Sequence, residues 1–114
     1  MGRRSRQRDK EKAPTSSYSS RGSALVLRGS LTPASRRDYA ALRAGGSTRE
    51  DAWHRAVEFL FERLAVSWDV EGVEWTKQKE VLARFRLASA EEKAWVRDVL
   101  REHVAEWFPD VEAP

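Results

Sequence analysis

The 114-residue sequence contains no cysteine and only two histidines. Without cysteine the chain has no disulfide and no thiolate nucleophile, so its fold cannot depend on an oxidising compartment. It also lacks long hydrophobic runs. Residues 59–61 (FLF) are typical of the longest, against the roughly 18–20 apolar residues of a transmembrane helix. We therefore expect a soluble cytoplasmic protein with no membrane segment.

Residue types that support catalysis or metal binding are sparse. His54 and His103 are far apart, each on a predicted helix, and neither has a second ligand at metal spacing, which argues against zinc. His103 lies within an apolar arc, which favours a packed, hydrogen-bonded histidine over a general base. Glu91 and Glu92 are interpreted as first-turn acids that favour the helix dipole. We therefore expect no enzymatic activity, no cofactor, no metal and no small-molecule substrate.

Two segments resemble binding motifs but lack the residues that those motifs need. Residues 44–50 (AGGSTRE) place glycines before a helix, as anion sites do, but lack the lysine and spacing of a phosphate loop. Residues 78–100 read as helix, turn and helix, yet the turn has no glycine. The second helix is also too acidic at its start and too apolar to enter a DNA groove. Neither segment predicts a site.

Charge is distributed unevenly along the chain. The net charge is +3, but residues 1–49 contain 12 Lys/Arg against 3 Asp/Glu, and residues 50–114 contain 9 against 15. Such a division indicates that the two halves face different surroundings, or that they face each other in neighbouring copies.

Residues 1–23 are predicted to form a disordered tail, and residues 24–114 a single small domain. The first 12 residues are almost all charged, and the following Ser/Gly/Pro-rich stretch has one aromatic residue. Neither can bury enough apolar surface to offset the entropy of ordering. Residues 24–27 (ALVL) fit either a short edge strand or an apolar anchor on the domain.

Capping residues and helix-terminating residues predict four helices, near 33–44, 48–65, 77–87 and 90–108. Thr32 and Pro33 open the first, and a capping box from Ser47 to Glu50 opens the second. Another capping box, from Ser89 to Glu92, opens the fourth. Pro109 ends that helix and an acidic tail follows. The apolar arcs of the second and fourth helices span roughly 200° and 220°, at ~100° per residue.

Between the second and third helices the apolar period changes from 3.6 to 2. Trp68 and Val70 precede Glu71-Gly72, and Val73 and Trp75 follow, which predicts a hairpin near 66–76. In that register Trp68 faces Trp75, a cross-strand pair that contributes about 0.2–1 kcal/mol. The alternative is an irregular link in which Trp68 ends the preceding helix.

The predicted fold class is therefore mainly α: a small bundle of about four helices, one short hairpin and a disordered basic N-terminal tail. The wide arcs present more apolar surface than such a bundle covers, which indicates a surface for another protein. We expect Trp68 and Trp75 to close the hairpin over the second helix. The residues expected at the interface are Trp107, Phe108, Trp95 and Phe61.

The favoured function is a non-enzymatic adaptor or assembly protein that binds a protein partner, or a second copy of itself, through this aromatic surface. The alternative is a small nucleic-acid-associated protein that makes non-specific phosphate contacts through its arginine-rich N-terminal half. The arginines expected to make those contacts are Arg3, Arg4, Arg6, Arg8, Arg36 and Arg37.

Overall fold

Strands and helices alternate in pairs along the chain. The computed structural model describes residues 14–20, 22–45 and 48–114. The strands are β1 (Thr15–Ser20), β2 (Ser23–Arg28), β3 (Ala65–Val70) and β4 (Val73–Trp75). The helices are α1 (Pro33–Ala44), α2 (Arg49–Leu64), α3 (Gln78–Arg86) and α4 (Ala90–Trp107). Together they form an α+β fold.

The strands form one antiparallel sheet in the order β1-β2-β3-β4. Tyr18, Leu25, Trp68 and Trp75 stand opposite one another along a row across the four strands, so their side chains share a face. Leu25 and Trp68 have no exposed surface and belong to the core that the helices complete. The other face presents small polar side chains such as the exposed Ser17. The helical layer therefore covers one face of the sheet.

The predicted fold class, a mainly helical bundle with one hairpin, is wrong, because the protein has a four-stranded sheet. Residues 15–20 (TSSYSS), which the sequence placed in a disordered tail, form β1. Every residue of β1 is opposite a residue of β2, so backbone pairing orders a segment that has few apolar side chains. Residues 24–27 belong to β2, so the strand alternative is confirmed, but β2 lies between β1 and β3 and is not an edge strand. The disorder predicted for residues 1–13 lies outside the described residues.

The β3–β4 hairpin is confirmed in its predicted register, with Trp68 opposite Trp75 and Val70 opposite Val73. Glu71 and Gly72 have φ angles of 51° and 87°, so both turn residues adopt the left-handed region that a tight hairpin turn requires. The backbone N–H of Gly72 donates to Oδ1 of Asp69 at 3.0 Å, which stabilises the turn although Glu-Gly is a weak turn sequence.

Helix starts follow the predicted signals in two of the three cases. Thr32 caps α1 ahead of Pro33, and Ser89 forms the predicted capping box with Glu92 at the start of α4. The box predicted from Ser47 to Glu50 is wrong, because Thr48 is the N-cap of α2 and accepts from the backbone N–H of Asp51 at 2.9 Å. Ser47 itself lies outside the described residues.

A buried polar cluster attaches β1 and β2 to α4. The Tyr18 hydroxyl lies 2.8 Å from Nδ1 of His103, and the Nε2 of His103 lies 2.9 Å from the backbone oxygen of Arg28. Because a carbonyl oxygen only accepts, we assign the proton to Nε2, which leaves Nδ1 to accept from Tyr18. His103 has no exposed surface. The packed, hydrogen-bonded histidine predicted from the sequence is confirmed.

We expect stability to fall as the pH falls below about 6.5, the ordinary pKa of histidine. Burial lowers the pKa of His103, more than its hydrogen bond to Arg28 raises it. The unfolded chain therefore takes up a proton as the pH falls through its ordinary pKa, while the folded protein resists protonation until its own lower pKa. Urea midpoints at about pH 7.5 and about pH 5.5 check this. Between those two pH values the urea midpoint of a His103→Gln variant should fall by less than that of the wild type. Equal falls in the midpoint would contradict the assignment.

The chain after α4 returns to α1 and packs on it. The Tyr39 hydroxyl donates to the backbone oxygen of Glu112 at 2.6 Å, and its burial raises the pKa of Tyr39 to about 12. Arg36 pairs with Asp110 at 3.2 Å and Arg43 with Glu112 at 3.1 Å. The acidic segment after Pro109 is therefore part of the fold. None of the helices in the described ranges is long and apolar enough to cross a membrane.

Candidate functional site

The aromatic residues predicted at a protein interface are placed mainly in the core. Phe61 and Phe108 are 0% and 1% exposed, and both side chains belong to the core. Trp107 is half-buried, and its Nε1–H donates to Oγ of Ser16 at 2.9 Å, so it fastens β1 to α4. Trp95 is half-buried against the core and lines a cleft.

The surplus apolar surface expected from the wide helical arcs is covered by the sheet. Leu25, Leu27 and Trp68 of the strands belong to the same core as the buried residues of α2 and α4. Among the described residues, the exposed large hydrophobic side chains are Val73 and Leu87. An interface built on surplus aromatic surface therefore loses its main support.

The arginines predicted to contact nucleic acid are divided between described and undescribed parts of the chain. Arg36 pairs with Asp110, and its guanidinium lies 5.4 Å from the centre of the Phe108 ring. It therefore holds the C-terminal segment, whereas Arg37 is exposed. The other four, which lie outside the described residues, are Arg3, Arg4, Arg6 and Arg8.

Trp53 and Arg97 stand at the centre of the most distinctive surface of the protein. The Arg97 guanidinium lies over the Trp53 ring at 4.4 Å from its centre. Two adjoining clefts, of about 500 Å³ and about 250 Å³, share these two residues in their lining. We call the combined surface the basic cleft. Its other lining side chains of interest are Arg43, Arg49, Arg101, Lys93, Val57, Phe85, Ala90 and Ala94.

Helical spacing on α2 and α4 brings the cations of the basic cleft together. Lys93, Arg97 and Arg101 are each four residues apart on α4, so they lie along one side of that helix. Arg49 is the first residue of α2, next to the Thr48 cap, and Trp53 follows one turn later. The start of α2 therefore faces the row of cations on α4.

The basic cleft has an excess of positive charge. Within the described part of the chain, Arg49, Lys93, Arg97 and Arg101 form no ion pair, whereas Arg43 pairs with Glu112. The lining contains one acid, Glu58, which is 3.0 Å from Arg86. An anionic ligand would meet Arg49, Lys93 and Arg97, which no acid in the described residues neutralises, whereas Arg101 already donates to the Pro114 oxygen at 2.8 Å.

Two hydrogen-bond donors in the basic cleft have no acceptor. Nε1 of Trp53 and Nε of Arg97 are both shielded from solvent and have no hydrogen-bond partner in the described ranges. A shielded donor without an acceptor costs about 1–3 kcal/mol, so such groups are uncommon and often mark functional sites. The missing atoms are acceptors, which again favours an anionic ligand.

The smaller part of the basic cleft has an apolar floor. Val57 and Phe85 are buried beneath it, and Ala90 and Ala94 line its α4 side with small side chains. The ammonium group of Lys93 lies 5.8 Å from the centre of the Phe85 ring, at the edge of the floor. The cleft therefore offers apolar contact with cations alongside.

The sequence analysis gave no functional role to Trp53 or Arg97. The available signal was the recurrence of Lys93, Arg97 and Arg101 at four-residue spacing on a helix whose first turn is acidic. The spacing alone does not indicate a binding site, because it does not show that α4 lies beside the start of α2. In the described ranges, no group of three or more His, Asp or Glu side chains is placed to hold a metal ion.

Comparison with known proteins assigns no family to this chain. No family model, no curated protein and no solved structure matches it. The function proposed for the chain therefore depends on its own geometry.

Proposed function

We propose that this chain is a non-enzymatic binding protein that holds an acidic segment of a partner protein in the basic cleft. The observation that supports the proposal best is the Trp53–Arg97 pair. Its two shielded donors lack acceptors, and it stands between cations that no described acid neutralises. A carboxylate is the acceptor that guanidinium groups prefer in proteins.

The apolar floor favours a protein segment over a small anion. A helix or extended segment with acids on one face and aliphatic side chains on the other would place the aliphatic groups on Val57 and Phe85. Its acids would then reach Arg49, Arg97 and Arg101. This retains the protein-binding role expected from the sequence but moves the binding surface. A cytoplasmic location stays a proposal on the sequence grounds given above.

The same geometry is less suited to nucleic acid. Binding of single strands depends on open aromatic faces on which bases stack. One face of Trp53 is already occupied by Arg97, and His54 contacts the ring edge-on with 4.7 Å between centroids. Nucleic-acid binding through the N-terminal arginines stays the alternative, and an oligonucleotide arm of the experiment tests it.

Charge reversal of the cleft should weaken binding of an acidic amphipathic peptide by about tenfold or more, equivalent to about 1.4 kcal/mol. The probe is a fluorescently labelled helical peptide with glutamates on one face and leucines on the other. The variant is Arg49→Glu with Lys93→Glu, two cations of the cleft lining, which leaves the Arg101–Pro114 hydrogen bond in place. A glutamate at position 49 also suits the start of a helix, so the fold should persist.

The matched control is Arg37→Glu with Lys79→Glu, which changes the net charge equally at exposed positions outside the cleft. It should bind the peptide within about twofold of the wild type. Equal weakening by both variants would show long-range charge attraction and overturn the proposed site. Binding of a single-stranded oligonucleotide but not of the peptide would support the nucleic-acid alternative instead.

A further inference from the structure

A second cleft, of about 390 Å³, opens where the two hairpin turns of the sheet meet. The backbone N–H of Glu71 donates to the oxygen of Gly22 at 2.6 Å, which joins the β3–β4 turn to the β1–β2 turn. The start of α4 forms the opposite wall. We call this surface the acidic cleft. Its lining includes Ser20, Trp68, Glu71, Glu91, Glu92 and Trp95.

Trp68 supplies the acidic cleft with a donor that has no acceptor. Its side chain is 0% exposed, it lines the cleft, and its Nε1 has no hydrogen-bond partner among the described residues. The nearest cation, Arg84, lies 5.4 Å from the ring centre and contains only donors, so it cannot satisfy the indole. An acceptor placed in the cleft would satisfy this N–H, whose burial without one is unfavourable.

The charge of the acidic cleft indicates a cationic ligand. Glu92 is held by Arg84 and by the Ser89 backbone, and these hydrogen bonds lower the pKa of Glu92, which keeps it ionised. Glu71 and Glu91 are exposed and form no ion pair within the described ranges. Trp95 adds an aromatic side chain, and aromatic rings attract cations.

The ligand must therefore contribute cations and an acceptor together. A metal ion or a simple amine has no acceptor for the Trp68 indole. A basic peptide has both, because its guanidinium groups can pair with Glu71 and Glu91 while a backbone carbonyl accepts from Trp68. The chemistry of the cleft thus fits an arginine-containing segment.

We propose that the acidic cleft binds residues 3–8 (RRSRQR) of the same chain. This segment contains four arginines and no acid. The described chain begins at Pro14, immediately before β1, and the far end of β1 at Ser20 lines the cleft. Six residues of strand span about 20 Å, and the six Cα-to-Cα steps from Arg8 to Pro14 can extend equally far, at about 3.3–3.6 Å each. The segment can therefore return along the sheet to the cleft.

When residues 3–8 are docked, their arginines would be paired with the acidic cleft and would not be free to bind other molecules. Nucleic acid or any other polyanion would then compete with Glu71 and Glu91 for the same side chains. The inference is independent of the basic cleft, because the two clefts share no lining residue. An experiment can therefore contradict the docking proposal without contradicting the proposed function of the basic cleft, and the reverse also holds.

The test follows the five tryptophan indole N–H signals of the full chain by nitrogen–proton correlation NMR. Changing Arg3, Arg4, Arg6 and Arg8 to Gln should shift the Trp68 indole signal and leave the Trp107 signal in place, because Trp107 donates to Ser16. The double variant Glu71→Gln with Glu91→Gln should shift the Trp68 signal in the same direction. An unchanged Trp68 signal in the four-arginine variant would overturn the proposal.

A rescue experiment separates docking from indirect effects. The peptide Arg-Arg-Ser-Arg-Gln-Arg, blocked at both ends, should restore the Trp68 signal of the four-arginine variant with saturation, but not when Glu71 and Glu91 are also changed. Arg21, which lies outside the described residues, follows Ser20 directly in sequence. If Arg21→Gln alone reproduces the whole shift, or if the shift depends on protein concentration, the assignment to the same chain's residues 3–8 is overturned.

Discussion

Replacing Trp68 with alanine is expected to unfold the protein at ambient temperature. Trp68 has no exposed surface and stands in the middle of the sheet between Leu25 and Trp75. Its ring packs edge-on against Phe61, with 5.4 Å between centroids. Truncation of such a residue costs about 3–5 kcal/mol, a large share of the about 5–15 kcal/mol that stabilises a typical small protein. Circular dichroism and a thermal melt would measure the loss.

Variants along the same hairpin provide the controls for Trp68→Ala. Val73→Ala should leave the melt within a few degrees, since the Val73 side chain is 55% exposed. The melting temperature of Trp75→Ala should lie between those of Trp68→Ala and Val73→Ala, because Trp75 is half-buried on the short edge strand β4. The sequence predicted only that both tryptophans close the hairpin over the second helix. A Trp68→Ala protein that melts like the wild type would contradict this account of the core.

The second large effect is expected at Gly29, which lies against Trp107. A Cβ atom added at Gly29 would come within 2.7 Å of Cε3 of the Trp107 ring. The ring cannot move away freely, because its Nε1–H is bonded to Ser16. Gly29→Ala should therefore lower the free energy of unfolding by about 1–3 kcal/mol, as overpacked cores do. Urea denaturation would measure the change.

Two comparisons isolate the steric cause at Gly29. Gly45→Ala, at the end of α1, places its Cβ 3.3 Å from a single backbone oxygen and should cost less. The clash is absent in the double variant of Gly29→Ala with Trp107→Ala. The stability lost by the double variant should therefore be smaller than the sum of the stabilities lost by the two single variants. Additive losses would show that Gly29 and Trp107 do not interact as described.

The sequence predicted most of the helical layer and the β3–β4 hairpin because their signals are local. Pro33 and the Ser89–Glu92 box mark helix starts within one turn of chain, and the predicted spans end within a residue or so of the observed helices. The Trp68–Trp75 register follows from a two-residue turn. In each case the determining contacts lie within a few residues of one another.

The sequence did not predict β1, because its order depends on a partner strand. Residues 15–20 are serine-rich and have one aromatic residue, a composition typical of linkers. Their hydrogen bonds to β2, and the Tyr18–His103 contact 85 residues away, exist only after the chain has folded. Omitting this strand also made the apolar arcs look wider than the core needs, since side chains of the sheet belong to the same core as the buried residues of α2 and α4.

Local patterns by themselves determined where helices begin, where the hairpin turns and that no thiol chemistry takes part. The tertiary structure alone decided that four strands join into one sheet and that Trp107 donates a hydrogen bond to Ser16 of that sheet. It also decided that Trp53 and Arg97, 44 residues apart, form the centre of a basic cleft. Helix caps and tight turns are closed by neighbours in sequence, whereas a cleft is defined by side chains from distant elements, whose approach no local pattern encodes.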